Sequence, residues 1–217
     1  MISGKRGEAG RLQLLTREFY ARDTLTVARA LLGQHIVRKL PDGARLVCRI
    51  TETEAYIGPI DKACHAYGGR RTPRTQTLYA RPGTAYLYLI YGMYHCLNFV
   101  TEPEGEPAAI LIRGGEARGN LDSLAENRFH CKASELTAYQ KKNLLNGPGK
   151  LCAALNIDRG LNGLPWGSPE LFLCDSLSDA GLPPCPGDER PPDVKCGKRV
   201  GIDYAGEAVD FPWRFYV

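Results

Sequence analysis

The sequence has no long apolar segment. None of its 217 residues lies in an uninterrupted run approaching the roughly 18–20 apolar residues that a membrane-spanning helix requires. The first ten residues are polar and basic, and no apolar stretch typical of a secretory signal follows them. We therefore expect a soluble intracellular protein that neither spans a membrane nor is secreted.

Metal-ligand patterns are also missing. The eight cysteines form no Cys-x-x-Cys pair, and no histidine and cysteine cluster has the spacing of zinc ligands. Because no secretion signal indicates an oxidising compartment, we predict reduced thiols, several of them within strands or helices. Cys185, which lies between prolines, is the candidate for an exposed thiol.

Acidic residues are absent from one long segment. Residues 63–101 contain no Asp or Glu, although Arg70, Arg71, Arg74 and Arg81 all fall within them. The formal net charge of the whole chain is only +4, so the distribution of charge, rather than its total, indicates a polyanionic partner. A solvated basic loop explains the charge pattern alone equally well.

The same segment is rich in tyrosine. Aromatic rings stack on bases while arginines hold phosphates, a combination suited to single-stranded or flipped nucleotides. Tyrosines also favour strands, so most of them are equally well explained as sheet residues. Tyr91 differs because it flanks a predicted turn, where an exposed ring can act as a wedge between base steps. The six tyrosines are Tyr67, Tyr79, Tyr86, Tyr88, Tyr91 and Tyr94.

The apolar periodicity predicts helices and strands in a single domain of residues 13–217, after a disordered leader at 1–12. The predicted helices are 24–32, capped by Asp23 or Thr24, 132–142 and 150–156. The predicted strands are 35–40, 45–56, 86–91, 94–100, 108–113 and 170–174, with short extended pieces at 198–202 and 212–217. Residues 160–192, rich in glycine and proline, are interpreted as a surface excursion rather than a second domain.

Two glutamates lie near the end of the second predicted strand. Strict alternation carries the apolar face of residues 46, 48 and 50 forward to Glu52, Glu54 and Tyr56. A positioned carboxylate can act as a general base on water or stabilise an oxocarbenium-like centre. A twist or bulge that turns both glutamates to solvent fits the pattern equally well.

Other candidates are weaker. The sequence Gly147-Pro148-Gly149-Lys150 opens a predicted helix and presents backbone N–H groups and a lysine to an anion, although a simple helix start explains it better. His65 has no partner at metal-ligand spacing, and His95 is interpreted as a packed residue of the hairpin.

Together these segments resemble the alkyladenine (3-methyladenine) DNA glycosylase family. The resemblance covers about residues 15–155 and 197–217, and residues 160–196 match nothing. The matching segments are residues 28–33, 52–56 with Gly58-Pro59, His65 with residues 68–70 and 72–74, residues 81–84, residues 86–98, residues 147–152 and residues 199–201.

The resemblance implies three catalytic groups. Glu54 matches the general base that orients and deprotonates the attacking water. Arg113 and the backbone of Val200 match groups that help to hold this water. The family needs no metal and no organic cofactor.

The resemblance also implies a pocket for an extruded base. Tyr56 on one side, and His65 and Tyr88 on the other, match the walls that sandwich this base. Asn98 matches the residue whose clash disfavours normal guanine, and Tyr91 matches the side chain inserted into the gap left in the duplex. We assign contacts with the DNA backbone to Arg70, Arg74, Gly149 and Lys150.

The function implied is that of a monofunctional glycosylase of base excision repair. It would flip a damaged purine out of double-stranded DNA and hydrolyse its N-glycosidic bond, leaving an abasic site. The expected lesions are 3-methyladenine, 7-methylguanine, hypoxanthine and ethenoadenine. We expect a monomer in the cytoplasm, associated with the nucleoid, if the source is bacterial, and in the nucleus if it is eukaryotic.

The expected fold is α+β, with one curved, mainly antiparallel sheet, surrounding helices and a protruding β-hairpin. A regular two-residue turn at Gly92-Met93 would pair Tyr88 with Leu97 and place Tyr88 and Asn98 on opposite faces. The resemblance requires both to line the pocket, so we predict a bulge or longer loop near Tyr91.

Two alternatives from other functional classes stay open. A non-catalytic protein that binds damaged or single-stranded nucleic acid would use the same tyrosines and arginines. A metal-dependent nuclease is disfavoured, because the sequence shows no cluster of carboxylates or histidines.

Overall fold

The computed structural model describes residues 14–188 and 193–217; the predicted leader at 1–12 lies outside the described residues. The strands are β1 (His35–Lys39), β2 (Arg45–Ile57), β3 (Ala85–Ile90), β4 (Tyr94–Val100), β5 (Ala108–Gly119), β6 (Leu171–Cys174), β7 (Lys195–Gly197) and β8 (Arg214–Tyr216). The α-helices are α1 (Arg17–Tyr20), α2 (Thr24–Ala30), α3 (Leu121–Phe129), α4 (Ala138–Lys142) and α5 (Pro148–Ala154).

The strands form one curved sheet in the order β3-β4-β5-β2-β1-β6, and every neighbouring pair is antiparallel. The long strand β2 is central. It pairs with β5 along one edge, and along the other with β1 and then β8. The predicted α+β class with a mainly antiparallel sheet is confirmed.

The main hydrophobic core lies between the sheet and helices α2, α3 and α5. Helix α2 forms as predicted: the Asp23 carboxylate accepts a hydrogen bond from the Thr26 N–H at 2.8 Å and caps the first turn. Val27 and Leu31 are fully buried. Gly33 then takes a φ of +89°, the left-handed conformation with which helices commonly end.

The β3–β4 hairpin confirms the prediction of a longer loop. Ile90 pairs with Tyr94, so the connection is a three-residue loop of Tyr91, Gly92 and Met93. Tyr91 has a φ of +52°, which is uncommon for a residue with a side chain. This loop pairs Tyr86 with Asn98 and Tyr88 with Cys96, which brings their side chains to one face of the sheet.

A β-bulge interrupts the alternation along β2, so the common face expected for residues 46–56 is wrong. The alternative of a bulge is right, except that neither glutamate is turned to solvent. The pairing with β5 shifts between Ile50 and Glu52, and again between Glu52 and Thr53. After the bulge, Ala55 packs in the same core cluster as Ile50, and the Thr53 hydroxyl bonds the Ala28 carbonyl of α2. Glu52, Glu54 and Tyr56 therefore face the opposite side of the sheet.

Other differences from prediction have local causes. The predicted helix 132–142 is divided into a short 3-10 turn and α4, because Thr137 and Gln140 form a capping box that starts a new helix. Helix α3 was not predicted, β5 runs on to Gly119, and 198–202 form a loop rather than a strand. The expected surface excursion at 160–192 is only partly right, since β6 pairs with β1 and Leu161 lies in the core.

The described residues include all eight cysteines, and none of them forms a disulfide. Cys185, the predicted exposed thiol, is half-buried, and Cys196 is the exposed one. None of the helices in the described part of the chain is long and apolar enough to cross a membrane.

Candidate active site

Glu54 lies on β2 just past the bulge, and its side chain is fully buried. One carboxylate oxygen, Oε1, accepts a hydrogen bond from the Val200 N–H at 2.8 Å and lies 3.4 Å from the Arg113 Nε. The other, Oε2, accepts a hydrogen bond from the Tyr56 hydroxyl at 2.8 Å. Two hydrogen-bond donors and one ion-pair partner, on three segments, thus fix a carboxylate that burial would otherwise destabilise.

The pKa of Glu54 is raised from its ordinary value because the side chain is buried. Arg113, the Val200 N–H and the Tyr56 hydroxyl oppose this rise, and the neighbouring Glu52 adds to it. A carboxylate with a raised pKa is a stronger proton acceptor than an ordinary one, so this group is suited to general base catalysis.

A cleft of about 720 Å³ opens in front of Glu54. Tyr56, Arg113 and Val200 all contact the Glu54 carboxylate and also line this cleft, so Glu54 lies one layer behind its wall. The structure therefore brings the three predicted catalytic groups together. The cleft is also lined by the predicted pocket residues His65, Tyr88 and Asn98.

His65 is held in a hydrogen-bond chain at the cleft wall. Arg74 donates from Nη2 to His65 Nε2 at 3.2 Å, and because arginine can only donate, the proton of a neutral ring must lie on Nδ1. That Nδ1 lies 2.8 Å from the Tyr86 hydroxyl. Burial, with a further contribution from Arg74, lowers the pKa of His65 to about 4. The imidazole is therefore neutral at neutral pH.

Aromatic rings and one amide line the part of the cleft next to His65. The Tyr88 ring packs edge-on against His65 with centroids 4.6 Å apart, and burial raises the pKa values of Tyr56 and Tyr88 well above the ordinary range. Asn98 donates from Nδ2 to the carbonyls of Tyr86 at 3.1 Å and Cys96 at 3.3 Å. Its amide is thereby locked in one orientation.

A buried ion pair supports the site from behind, and no role was predicted for either partner. Arg199 bonds both carboxylate oxygens of Asp61, and neither side chain is exposed. The same guanidinium donates to the carbonyls of Ala55 and Ala208 and lies 4.7 Å from the centre of the Tyr56 ring. It thus fixes the loop that presents the neighbouring Val200 N–H to Glu54.

Tyr91 is at the tip of the hairpin with 85% of its surface exposed. Its position fits the predicted insertion into DNA, which stays a prediction, as do the four assigned contacts with the DNA backbone. Arg70 is exposed, whereas Arg74 is bonded to His65. Lys150 lines the cleft but donates to the side chains of two asparagines, Asn143 and Asn146, at 2.7 and 2.9 Å.

Gly149 is packed against the hairpin. A Cβ atom at Gly149 would lie 2.8 Å from the Tyr94 Cβ, so only glycine lets α5 approach β4 this closely. Within residues 14–188 and 193–217, no three His, Cys, Asp or Glu side chains are grouped so as to hold a metal ion.

Comparison with known proteins agrees with this geometry. A relative from Clostridium perfringens (strain SM101) is 50% identical over 204 residues, covering 94% of this chain and 95% of the relative. One from Desulfitobacterium hafniense (strain Y51) is 45% identical, covering 95% and 96% of the two chains. One from Clostridium botulinum (strain Loch Maree) is 48% identical, covering 94% and 95%. All three are provisionally named 3-methyladenine DNA glycosylases.

A sequence profile of the methylpurine-DNA glycosylase family matches residues 18–217. This match includes Glu54 and all the residues that line the cleft. The chain belongs to the methylpurine-DNA glycosylase family.

Proposed function

We propose that this DNA N-glycosylase flips a damaged purine out of double-stranded DNA and hydrolyses its N-glycosidic bond, leaving an abasic site. The substrates proposed are 3-methyladenine, 7-methylguanine, hypoxanthine and ethenoadenine. The observation that carries the proposal is the buried Glu54 carboxylate, held by two hydrogen-bond donors and the Arg113 ion pair behind a cleft that aromatic rings help to line. The relatives are bacterial, which supports action on DNA in the cytoplasm. We propose that the enzyme acts as a monomer.

The reaction needs one base and one water. Glu54 takes a proton from the water while the water oxygen forms a bond to C1′ of the sugar. The bond from C1′ to the base nitrogen breaks, and its electron pair leaves with the purine. An alkylated cationic purine leaves as a neutral base, whereas hypoxanthine or ethenoadenine must first gain a proton.

The aromatic walls favour electron-poor bases. Rings such as those of Tyr56 and Tyr88 attract a cation placed over their faces. His65 stays uncharged at neutral pH because its pKa is about 4, so it does not repel a cationic purine. We propose that the locked amide of Asn98 excludes guanine, whose exocyclic amino group would clash with it.

The duplex is proposed to lie across the β3–β4 hairpin. Tyr91 would fill the gap left by the flipped nucleotide, and Arg70, Arg74 and Lys150, with the backbone of Gly149, would contact phosphates. Damaged pairs cost less to open than normal pairs, which adds selectivity before the chemical step.

The decisive experiment compares the wild type with Glu54→Gln on duplexes that carry single lesions, with alkali used to reveal abasic sites. The amide cannot accept the proton, so we expect no base release but nearly normal binding to the lesion duplex. Near-normal turnover would remove Glu54 from the mechanism.

The alternatives make different predictions in the same assay. A non-catalytic binder would release no free base even from the wild type over long incubation. Activity that a chelator does not diminish would exclude the hypothesis of a metal-dependent nuclease.

A further inference from the structure

Four side chains of alternating charge run from the C-terminal strand to the active site. Arg214 on β8 donates from Nε to Glu52 Oε1 at 2.6 Å, and Arg113 Nε donates to the same oxygen at 3.1 Å. Arg113 Nε also lies 3.4 Å from Glu54 Oε1. We call Arg214, Glu52, Arg113 and Glu54 the charge ladder.

The bulge in β2 builds this ladder. Because the pairing with β5 shifts on both sides of Glu52, Glu52 and Glu54 lie on the same side of the sheet as Arg113. Gly114, opposite Glu52, leaves the space for it: a Cβ there would lie 3.3 Å from the Glu52 Cβ. Strand β8 pairs with the same stretch of β2 and so supplies Arg214.

Glu52 fixes the direction of Arg113. The single hydrogen on Arg113 Nε is closer to Glu52 than to Glu54, and the Nη groups of Arg113 make no hydrogen bond to any residue of the described ranges. Arg113 lines the cleft, so anchoring at Nε leaves both Nη groups available to water or to the substrate.

The ladder is also electrostatically balanced. Its two carboxylates and two guanidinium groups sum to zero formal charge, and the side chains of Glu52, Arg113 and Arg214 are only 20%, 15% and 30% exposed. Charges so weakly exposed are little screened by solvent or salt. A change of charge at one end is therefore felt at Glu54.

We propose that Glu52 and Arg214 are positioning residues that orient Arg113 and set the basicity of Glu54. This inference rests on the proposed function, since it assigns to Glu54 the role of general base. The titratable or charged groups that interact with Glu54 are Glu52 and Tyr56 of β2, Tyr88 of β3, Cys96 of β4 and Arg113 of β5. Two further arginines act through a neighbour: Arg214 of β8 bonds Glu52, and Arg199 of the loop before β8 lies against the Tyr56 ring.

Glu52 and Arg214 should act on Glu54 in opposite directions. Glu52→Gln removes a negative charge near Glu54, so the acidic limb of the pH–rate profile should move to lower pH. Arg214→Gln removes a positive charge and should move it to higher pH. We expect each shift to be on the order of one pH unit or somewhat less, as for partly buried charges in the same cluster, and the shift for the more distant Arg214 to be the smaller.

The test is the pH dependence of the single-turnover rate of base release, with enzyme in excess over a hypoxanthine duplex. Arg214→Lys keeps the charge and should keep the wild-type profile. Glu116→Gln is the matched control. Glu116 lies on the neighbouring strand β5 and, like Glu52, is paired with an arginine, but it does not line the cleft. Affinity for the lesion duplex should change little in any variant.

Two results would overturn the proposal. In the first, the pH–rate profiles of Glu52→Gln and Arg214→Gln superimpose on that of the wild type. In the second, both variants shift the profile in the same direction. If Glu52→Gln does not fold, the contrast between Arg214→Gln and Arg214→Lys decides. Glu54→Gln is measured in parallel. Full activity of Glu54→Gln would contradict the proposed function. If Glu54→Gln is inactive but the ladder variants keep the wild-type pH–rate profile, only the proposal about the ladder is wrong.

Discussion

Replacing Asp61 by asparagine should strongly destabilise the protein although the two side chains have nearly the same shape. Asp61 carries a negative charge with no exposure and accepts hydrogen bonds from Arg199 through both oxygens. It also accepts from the Ala63 N–H at 2.9 Å and the Ile57 N–H at 3.3 Å. The asparagine would leave the buried guanidinium without a counter-charge and turn an amide NH₂ toward other donors.

The expected size follows from this burial. Removing one partner of a buried, hydrogen-bonded ion pair costs about 3–5 kcal/mol, a large part of the roughly 5–15 kcal/mol that stabilises a domain. Urea unfolding at 25 °C, followed by circular dichroism, measures the change in the free energy of unfolding. A loss of less than about 1 kcal/mol, the worth of an ordinary hydrogen bond, would refute the reasoning.

A nearby exposed pair supplies the control. Lys62 follows Asp61 in the chain and donates a hydrogen bond to Glu207 at 2.7 Å. Glu207 is next to Ala208, and the Ala208 carbonyl accepts a hydrogen bond from Arg199. The Lys62–Glu207 pair thus also joins the segment around Asp61 to the segment that follows Arg199, but both of its side chains are exposed to solvent. Glu207→Gln should therefore leave the free energy of unfolding nearly unchanged.

The ion pair should also affect catalysis separately from stability. Arg199 precedes Val200, whose N–H orients Glu54. Replacing both partners by apolar residues, Asp61→Leu with Arg199→Met, should recover much of the stability without recovering the rate of base release. Recovery of both would show that the pair only stabilises the fold.

Three further predictions concern the cleft. Tyr91→Ala should leave the melting temperature unchanged, since this side chain is 85% exposed, but should weaken flipping, seen as loss of signal from a fluorescent base analogue; unchanged flipping would contradict the wedge role. Folding lowers the pKa of His65 from 6.5 to about 4. Between pH 4 and pH 6.5 the unfolded chain therefore binds more protons than the folded chain. The free energy of unfolding should accordingly fall as the pH drops from 6.5 to 4. His65→Gln should flatten that fall, and an equal slope in the variant would reject the shift. Gly149→Ala should cost about 1–3 kcal/mol by forcing a Cβ against Tyr94, measured by urea unfolding; an unchanged midpoint would show that α5 moves away at little cost.

Local signals in the sequence were enough to predict much of the framework. The Asp23 cap and Gly33 mark the two ends of α2, and alternating tyrosines mark the hairpin. These features depend on residues close together in the chain, where turn chemistry and periodicity act directly. The hairpin loop is different: local turn chemistry predicted two residues, and the shared face of Tyr88 and Asn98 implied by the family resemblance correctly predicted a longer loop.

The supporting contacts of the site could not be predicted in this way. Asp61 and Arg199 are 138 residues apart in sequence, and neither has a local pattern that indicates a partner. Arg214 reaches Glu52 across 162 residues, through the pairing of β8 with β2. Such contacts depend on tertiary packing, so a single sequence shows where each charged residue lies but not which residue it pairs with.

The bulge explains both the failed prediction and the working site. With strict alternation, Glu54 would share the face of Ile50 and enter the apolar core between the sheet and the helices, where an unpaired carboxylate is very costly. The shift in pairing moves it to the other face, where the Val200 N–H and the Tyr56 hydroxyl donate hydrogen bonds and Arg113 supplies a positive charge. Burial there still raises the pKa of Glu54, but the carboxylate is oriented rather than unpaired. The irregularity that breaks the apolar pattern of β2 is thus what places a buried, oriented carboxylate where the proposed base is needed.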